Sequence, residues 1–178
     1  STEPAPDAVL MIEDWRLAPH GAPLIPGMHL AGLGLPEPIY SANGRTGSSL
    51  RLPGAGALLR LVNAGMRAPF ALHFADHDVR VVAIDSAPAE PFMARDSRVI
   101  LSPGGRMDVE IAPRGAGQAG APITLFDGTQ RTIIAHLEPR PGDAATPIPA
   151  TAKDADSLHL SKAISLTGAR RVALSFGA

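Results

Sequence analysis

Six histidines are the residues of this 178-residue chain best suited to chemistry near neutral pH, as metal ligands or proton carriers. They are His20, His29, His73, His77, His136 and His159, and only His73 and His77 stand at a ligand-like interval, with three residues between them. On adjacent strands or at a corner, such a pair need not converge. His77 lies between Asp76 and Asp78, a set that could hold a divalent ion. Turns favour Asp for bonding to its own backbone, however, so a solvated hairpin tip is the expected role for this triplet. His73 is expected on a partly exposed sheet face where it needs no ligand. Cysteine is absent, which removes disulfides, thiol catalysis, zinc ribbons, iron–sulfur ligation and any blue-copper centre that needs a thiolate.

Other patterns carry less. Gly115, Gly117 and Gly120 match the glycine spacing of dinucleotide-binding loops, but that loop works only where a strand feeds a helix N-terminus. Here Pro113 precedes the pattern and the strand-like Pro122–Phe126 follows it, so a turn is expected. Ser48-Ser49 lies in no nucleophile elbow. The carboxylates Glu13-Asp14, and Glu37 with Asp85, are read as surface groups. With aromatic residues at 4%, stacking platforms for bases or sugars are not expected. No catalytic, cofactor-binding or metal-binding residue is therefore assigned, and adventitious metal at His73, His77 or His136 is left open.

The elements that would position these groups are strands. Gly 18 and Pro 18 argue against a helical bundle, and a hydrophobic share of 45% against disorder. A net charge of -1 provides no field to attract nucleic acid or an anionic membrane, and no apolar run is long enough to span a bilayer. Ala8–Leu17 reads as a first strand, with the single tryptophan, Trp15. Residues 19–45 read as a long ordered loop ending in the Asn43-Gly44 turn. Period-two alternation follows at 57–62, 70–75 and 79–84, with Asp76-His77-Asp78 as the corner between the last two. Pro88 and Pro91 break the chain, 97–101 resumes it, and Arg106–Ile111 shows the cleanest alternation. Pro122–Phe126 and Gln130–Leu137 form a hairpin across Asp127-Gly128. Eight or so short strands without helical period predict an all-β, Greek-key β-sandwich.

Five segments in register then resemble a known family. They are Leu58-Leu-Arg-Leu-Val-Asn-Ala64, Phe70-Ala-Leu-His-Phe-Ala-Asp-His77, Val81-Val-Ala-Ile-Asp85, Pro88-Ala-Glu-Pro91 and Leu101-Ser-Pro-Gly-Gly-Arg-Met-Asp-Val109. In order and spacing they look like the middle, second cupredoxin-like domain of three-domain, laccase-like multicopper oxidases. Glu13-Asp14-Trp15 and Asn43-Gly44-Arg45 resemble that domain's opening strand and turn, so the likeness covers about residues 8–138. Gly105 departs from the family, which commonly carries glutamate there.

The resemblance implies a cupredoxin-like sandwich over 1–138, an inter-domain linker over 139–164, and over 165–178 the first strand of a following domain. It implies copper ligands, as His-x-His pairs and a His-Cys-His segment, in the flanking cupredoxin domains of the parent and none in this fragment. Those flanking domains are its expected partners, with no nucleic acid and no membrane, and with dimerisation through the 165–178 strand as a further expectation. The parent would be a periplasmic, exported oxidase that oxidises a substrate and reduces dioxygen to water. The middle domain of a copper-free scaffold of the cell-division type, and a stand-alone β-sandwich binding module, are the alternatives.

Overall fold

The computed structural model describes residues 8–24, 35–47, 50–53, 56–114, 120–138 and 167–168. Among these, twelve strands follow one another: β1 (Ala8–Trp15), β2 (Ile39–Ala42), β3 (Arg45–Thr46), β4 (Arg51–Pro53), β5 (Ala57–Asn63), β6 (Phe70–Phe74), β7 (His77–Ile84), β8 (Ala87–Met93), β9 (Arg98–Leu101), β10 (Arg106–Pro113), β11 (Ala121–Phe126) and β12 (Arg131–Glu138). One 3₁₀ turn, Arg95–Ser97, joins β8 to β9. The strands form a seven-stranded sheet in the order β3-β2-β1-β5-β10-β7-β8 and a five-stranded sheet in the order β4-β12-β11-β6-β9. Most pairs are antiparallel, but β1 runs parallel to β5 and β4 parallel to β12. From β5 to β11 the chain crosses repeatedly from one sheet to the other, so the expected all-β sandwich with Greek-key connections is the observed fold. Among the described residues no helix is long and apolar enough to cross a membrane.

Alternation decides which side chains face inward. In β5 and β6 every second residue is buried, and the inner faces of the two sheets supply Leu10, Ile12, Leu59, Leu61, Val81 and Ile111 on one side and Phe70, Leu72, Phe74, Ile123 and Leu137 on the other. Each such buried side chain contributes about 1.5–3 kcal/mol relative to an exposed one.

Two polar connections bind the layers. The Tyr40 hydroxyl, on β2, donates to Asp127 Oδ2 at the β11–β12 turn, while its ring meets Phe70 edge-on at 5.5 Å. Asn63, wholly buried at the end of β5, donates through Nδ2 to the carbonyls of Ala68 (3.1 Å) and Leu101 (3.0 Å) and accepts from the Gly65 amide at Oδ1 (2.9 Å). A Cβ on Gly65 would sit 2.7 Å from Asp14 Oδ1 and 2.9 Å from Phe70 Cζ, so glycine at 65 lets this loop close down on the end of the sandwich.

Three local readings are corrected by the structure. The 19–45 stretch is not wholly loop: β2 and β3 form a hairpin on the far side of β1, with Asn43 and Gly44 at φ of 50° and 72° as the turn. The Asn43 side chain then continues the β1 ladder, accepting from Met11 N and donating to Val9 O, both at 2.8 Å. Pro88 and Pro91 do not break the chain but lie within β8, the edge of the seven-stranded sheet, where missing N–H groups need no partner. The reversal before β7 is Ala75-Asp76, with Asp76 at φ 55°, so His77 and Asp78 belong to the strand. The 139–164 and 165–178 assignments lie outside the described residues, apart from a turn at Thr167-Gly168.

Candidate functional site

Placing His77 in a strand reverses its expected environment. Its side chain points inward and is 3% exposed, with Nδ1 2.7 Å from the Ala75 carbonyl, which contradicts a solvated hairpin tip. Alternation sends Asp78 to the opposite face, where its carboxylate accepts from Arg114 Nε at 2.6 Å. Arg114 also donates to Ser97 Oγ at 2.7 Å, and Ser97 in turn donates to the His77 carbonyl. Asp76, His77 and Asp78 therefore cannot close on one ion.

The remaining sequence candidates are scattered. His136 is on β12, opposite Pro122, two strands away from His73 on β6. His20 is exposed in the Pro19-His20 turn, whereas His29, His159, Ser48-Ser49 and Gly115–Gly117 lie outside the described residues. Gly120 has φ +77° and leads directly into β11, a strand, so the dinucleotide-loop context is missing. Glu13 and Asp14 point opposite ways: Glu13 accepts from Ser41 Oγ (2.9 Å), and Asp14 accepts from Met66 N (3.0 Å) beside Arg67 (3.5 Å). Glu37 precedes β2 and Asp85 follows β7, toward opposite edges of the seven-stranded sheet, and Asp85 Oδ1 accepts from Arg106 N at 2.9 Å. The Pro103–Gly105 turn forms as expected, yet the departure at Gly105 is spatially tight: a Cβ there would stand 2.9 Å from the Ser102 carbonyl oxygen.

Copper, which the resemblance implies for a parent protein, does not fit these donors. A blue-copper site requires a thiolate and the chain has no cysteine; among the described residues no three of His, Cys, Asp and Glu converge. His73, half-buried on an outer sheet face, sits among cations.

That surrounding is a concave feature the periodicity did not reveal. On the outer face of the five-stranded sheet, a hollow of about 260 Å³ is lined by Ala71, His73, Arg98, Thr124, Phe126 and Arg131. The Arg131 guanidinium lies 5.6 Å from the Phe126 ring centre. Burial, and then the charges of Arg98, Arg114 and Arg131, push the His73 imidazole below its ordinary value of 6.5, against a smaller opposing pull from Asp76. Each residue was legible as strand; their meeting depends on lateral order β12-β11-β6-β9, which no local pattern encodes.

Comparison with known proteins agrees with this architecture. The sequence model of the multicopper oxidase family matches residues 3–118. The protein named "Putative laccase-11" from Oryza sativa subsp. japonica is 34% identical over 116 residues, 59% of this chain and 21% of its own length. Laccase-10 of the same organism is 28% identical over 137 residues, 70% of this chain and 23% of its own. The chain thus spans less than a quarter of the curated relatives it matches. Among solved structures, a multi-copper oxidase from Pseudomonas Thermotolerans superposes with a TM-score of 0.53 at 29% identity, over 80% of this chain and 36% of that one. A bacterial laccase-like multi-copper oxidase from Ochrobactrum sp. superposes with a TM-score of 0.60 at 19% identity, over 79% and 32%, a likeness of fold. With two mixed sheets in cupredoxin-like order and a family match over well over half its residues, this chain belongs to the multicopper oxidase family.

Proposed function

We propose that the chain is the second cupredoxin-like domain of a three-domain multicopper oxidase, and that it carries no copper ligand itself. The observation that supports this most is the donor set: no cysteine, and described histidines spread over separate strands and the Pro19-His20 turn without converging. Its work in the parent is to hold the copper-bearing domains at a fixed separation and to wall part of the substrate approach. The parent, by the family's chemistry, oxidises a substrate and reduces dioxygen to water at copper bound elsewhere. A rigid spacer suits the fold, since both sheets are cross-tied and the interior is continuous. On the outer face of the seven-stranded sheet, Val9, Met11, Trp15 and Ile39 remain exposed, which favours packing against another part of the parent. Residues 139–164 act in this reading as linker and 165–178 as the opening strand of the next domain, in an exported, periplasmic protein.

Copper titration of the 178-residue chain tests the reading. The expected result is no stoichiometric intense blue absorption; one blue copper per chain overturns it. Deletion of 140–178 is expected to leave thermal stability unchanged, and unfolding on deletion overturns the assignment of that segment to linker and foreign strand.

A further inference from the structure

The hollow on the five-stranded sheet is unrelated to copper and to the spacer role. Two cross-strand rows lie side by side there. One reads Ile133–Thr124–His73–Arg98, and the other Arg131–Phe126–Ala71–Ile100. In the second row a methyl group stands between a phenyl ring and a branched side chain, so Ala71 forms a floor below its neighbours. Thr124 and His73 border the floor from the adjacent row, and the two arginines stand at opposite corners of the grid.

The charge on this grid is one-sided. Arg114 is engaged by Asp78, and the sheet's other cation-bearing strand β4 pairs Arg51 with Glu138 at 3.2 Å. Arg98 and Arg131 have no carboxylate within ion-pair distance among the described residues. Burial first, and then these cations, lower the proton affinity of His73, so its imidazole is neutral near pH 7. Two guanidinium forks, a hydroxyl and a neutral imidazole N–H offer donors in several directions, and planar guanidinium matches carboxylate in a way that ammonium does not. The floor and one wall, Ala71 and Phe126, are apolar. A bare inorganic anion would leave these uncovered, whereas an organic anion of one ring or a short chain covers them within about 260 Å³.

We propose that the Ala71 hollow binds a small organic carboxylate, its body on Ala71 and Phe126 and its charged end between Arg98, His73 and Arg131. The proposal is independent of which domain of an oxidase the chain represents.

The test uses the 178-residue chain, benzoate as probe, and backbone amide chemical shifts at constant ionic strength. Saturable shifts centred on Ala71, His73 and Thr124 are expected, with benzyl alcohol and inorganic phosphate each binding at least about fivefold more weakly, as loss of one charge-assisted contact or of the apolar contact implies. Arg98→Gln and Arg131→Gln should each weaken benzoate by about three- to tenfold. Ala71→Leu, which fills the floor on a solvent-facing side, should abolish saturation while circular dichroism and thermal midpoint stay as in the parent chain. Non-saturating shifts, equal binding of phosphate or of benzyl alcohol, or unchanged benzoate binding in Ala71→Leu overturns the proposal.

Discussion

Replacing Asn63 tests whether one buried amide holds the end of the sandwich together. Its side chain is fully buried and makes three hydrogen bonds, to the Gly65 amide and to the carbonyls of Ala68 and Leu101. Its backbone adds two more, accepting from Gly104 N (2.8 Å) and donating to Gly105 O (3.0 Å), which fixes where the side chain must stand. Asn63→Ala strands one donor and two acceptors, each worth roughly 1–3 kcal/mol when left unpaired and buried. Water entering the vacated space relieves part of this, so the expected loss is about 3–5 kcal/mol, a large share of the roughly 5–15 kcal/mol available to a domain. The assay is urea unfolding followed by fluorescence of Trp15, the single tryptophan, which reports β1. At a slope of about 2 kcal/mol/M, the midpoint should fall by about 1.5–2.5 M with the slope unchanged. Asn63→Asp adds a directional control: it keeps the acceptor for Gly65 but turns a carboxylate toward two carbonyls. Burial and those carbonyls raise its folded-state proton affinity, so this variant should regain stability as pH falls and lose it as pH rises. A loss below about 1 kcal/mol for Asn63→Ala, with the fold intact, refutes the reasoning.

Four further outcomes follow from geometry already described. Tyr40→Phe should cost about 1–2 kcal/mol by removing the charge-assisted bond to Asp127. It should also reshape the pH profile. Burial raises the Asp127 carboxyl, but bonds from Tyr40, Gln130 and Thr129 outweigh it and hold the group well below 3.8, so its stabilisation is complete above that pH and fades as pH falls below it. Burial and Asp127 hold the Tyr40 hydroxyl well above 10, so the pair also weakens as pH rises past 10; thermal melts against pH should show both limbs flattened in the variant. A double-mutant cycle on Arg60 and Asp108, directly opposed on β5 and β10 with bonds of 2.8 and 2.7 Å, should yield a coupling of about 0.5–1 kcal/mol, larger than an exposed monodentate pair. Replacing Pro88 and Pro91 together by Thr should return the missing N–H donors to the β8 edge beside exposed Phe92 and Met93 and produce concentration-dependent association in light scattering. The His73 imidazole should titrate below 6.5 by NMR, and Arg131→Gln should move it upward.

What the chain made legible in advance was local. Alternation in Ala57–Asn63, Phe70–Phe74 and Arg106–Pro113 specified strands and their buried faces because a half-buried sheet imposes period two. Asn43-Gly44 specified a turn because both residues must enter the left-handed region. His77 was misjudged because the flanking aspartates suggested a corner, whereas the strand begins at His77 rather than Val79 and its register turns the imidazole inward. Pro88 and Pro91 misled for a related reason: proline excludes a central strand, not an edge. The hollow over Ala71 was beyond reach, since it is assembled from four strands whose neighbours are set by connections through the other sheet.

The parallel pairing of β1 with β5 carries a consequence for how the chain acquires its structure. β1 comes first among the described strands, yet its parallel partner β5 begins at Ala57, and β5 is flanked on its other side by β10, which ends at Pro113. During synthesis β1 must therefore wait, its apolar residues Leu10 and Ile12 without their full cover, until the chain has been made through Pro113. Such non-local closure places this sandwich among slow folders and makes the interval before β10 emerges the period of greatest exposure to chaperones and to misassociation.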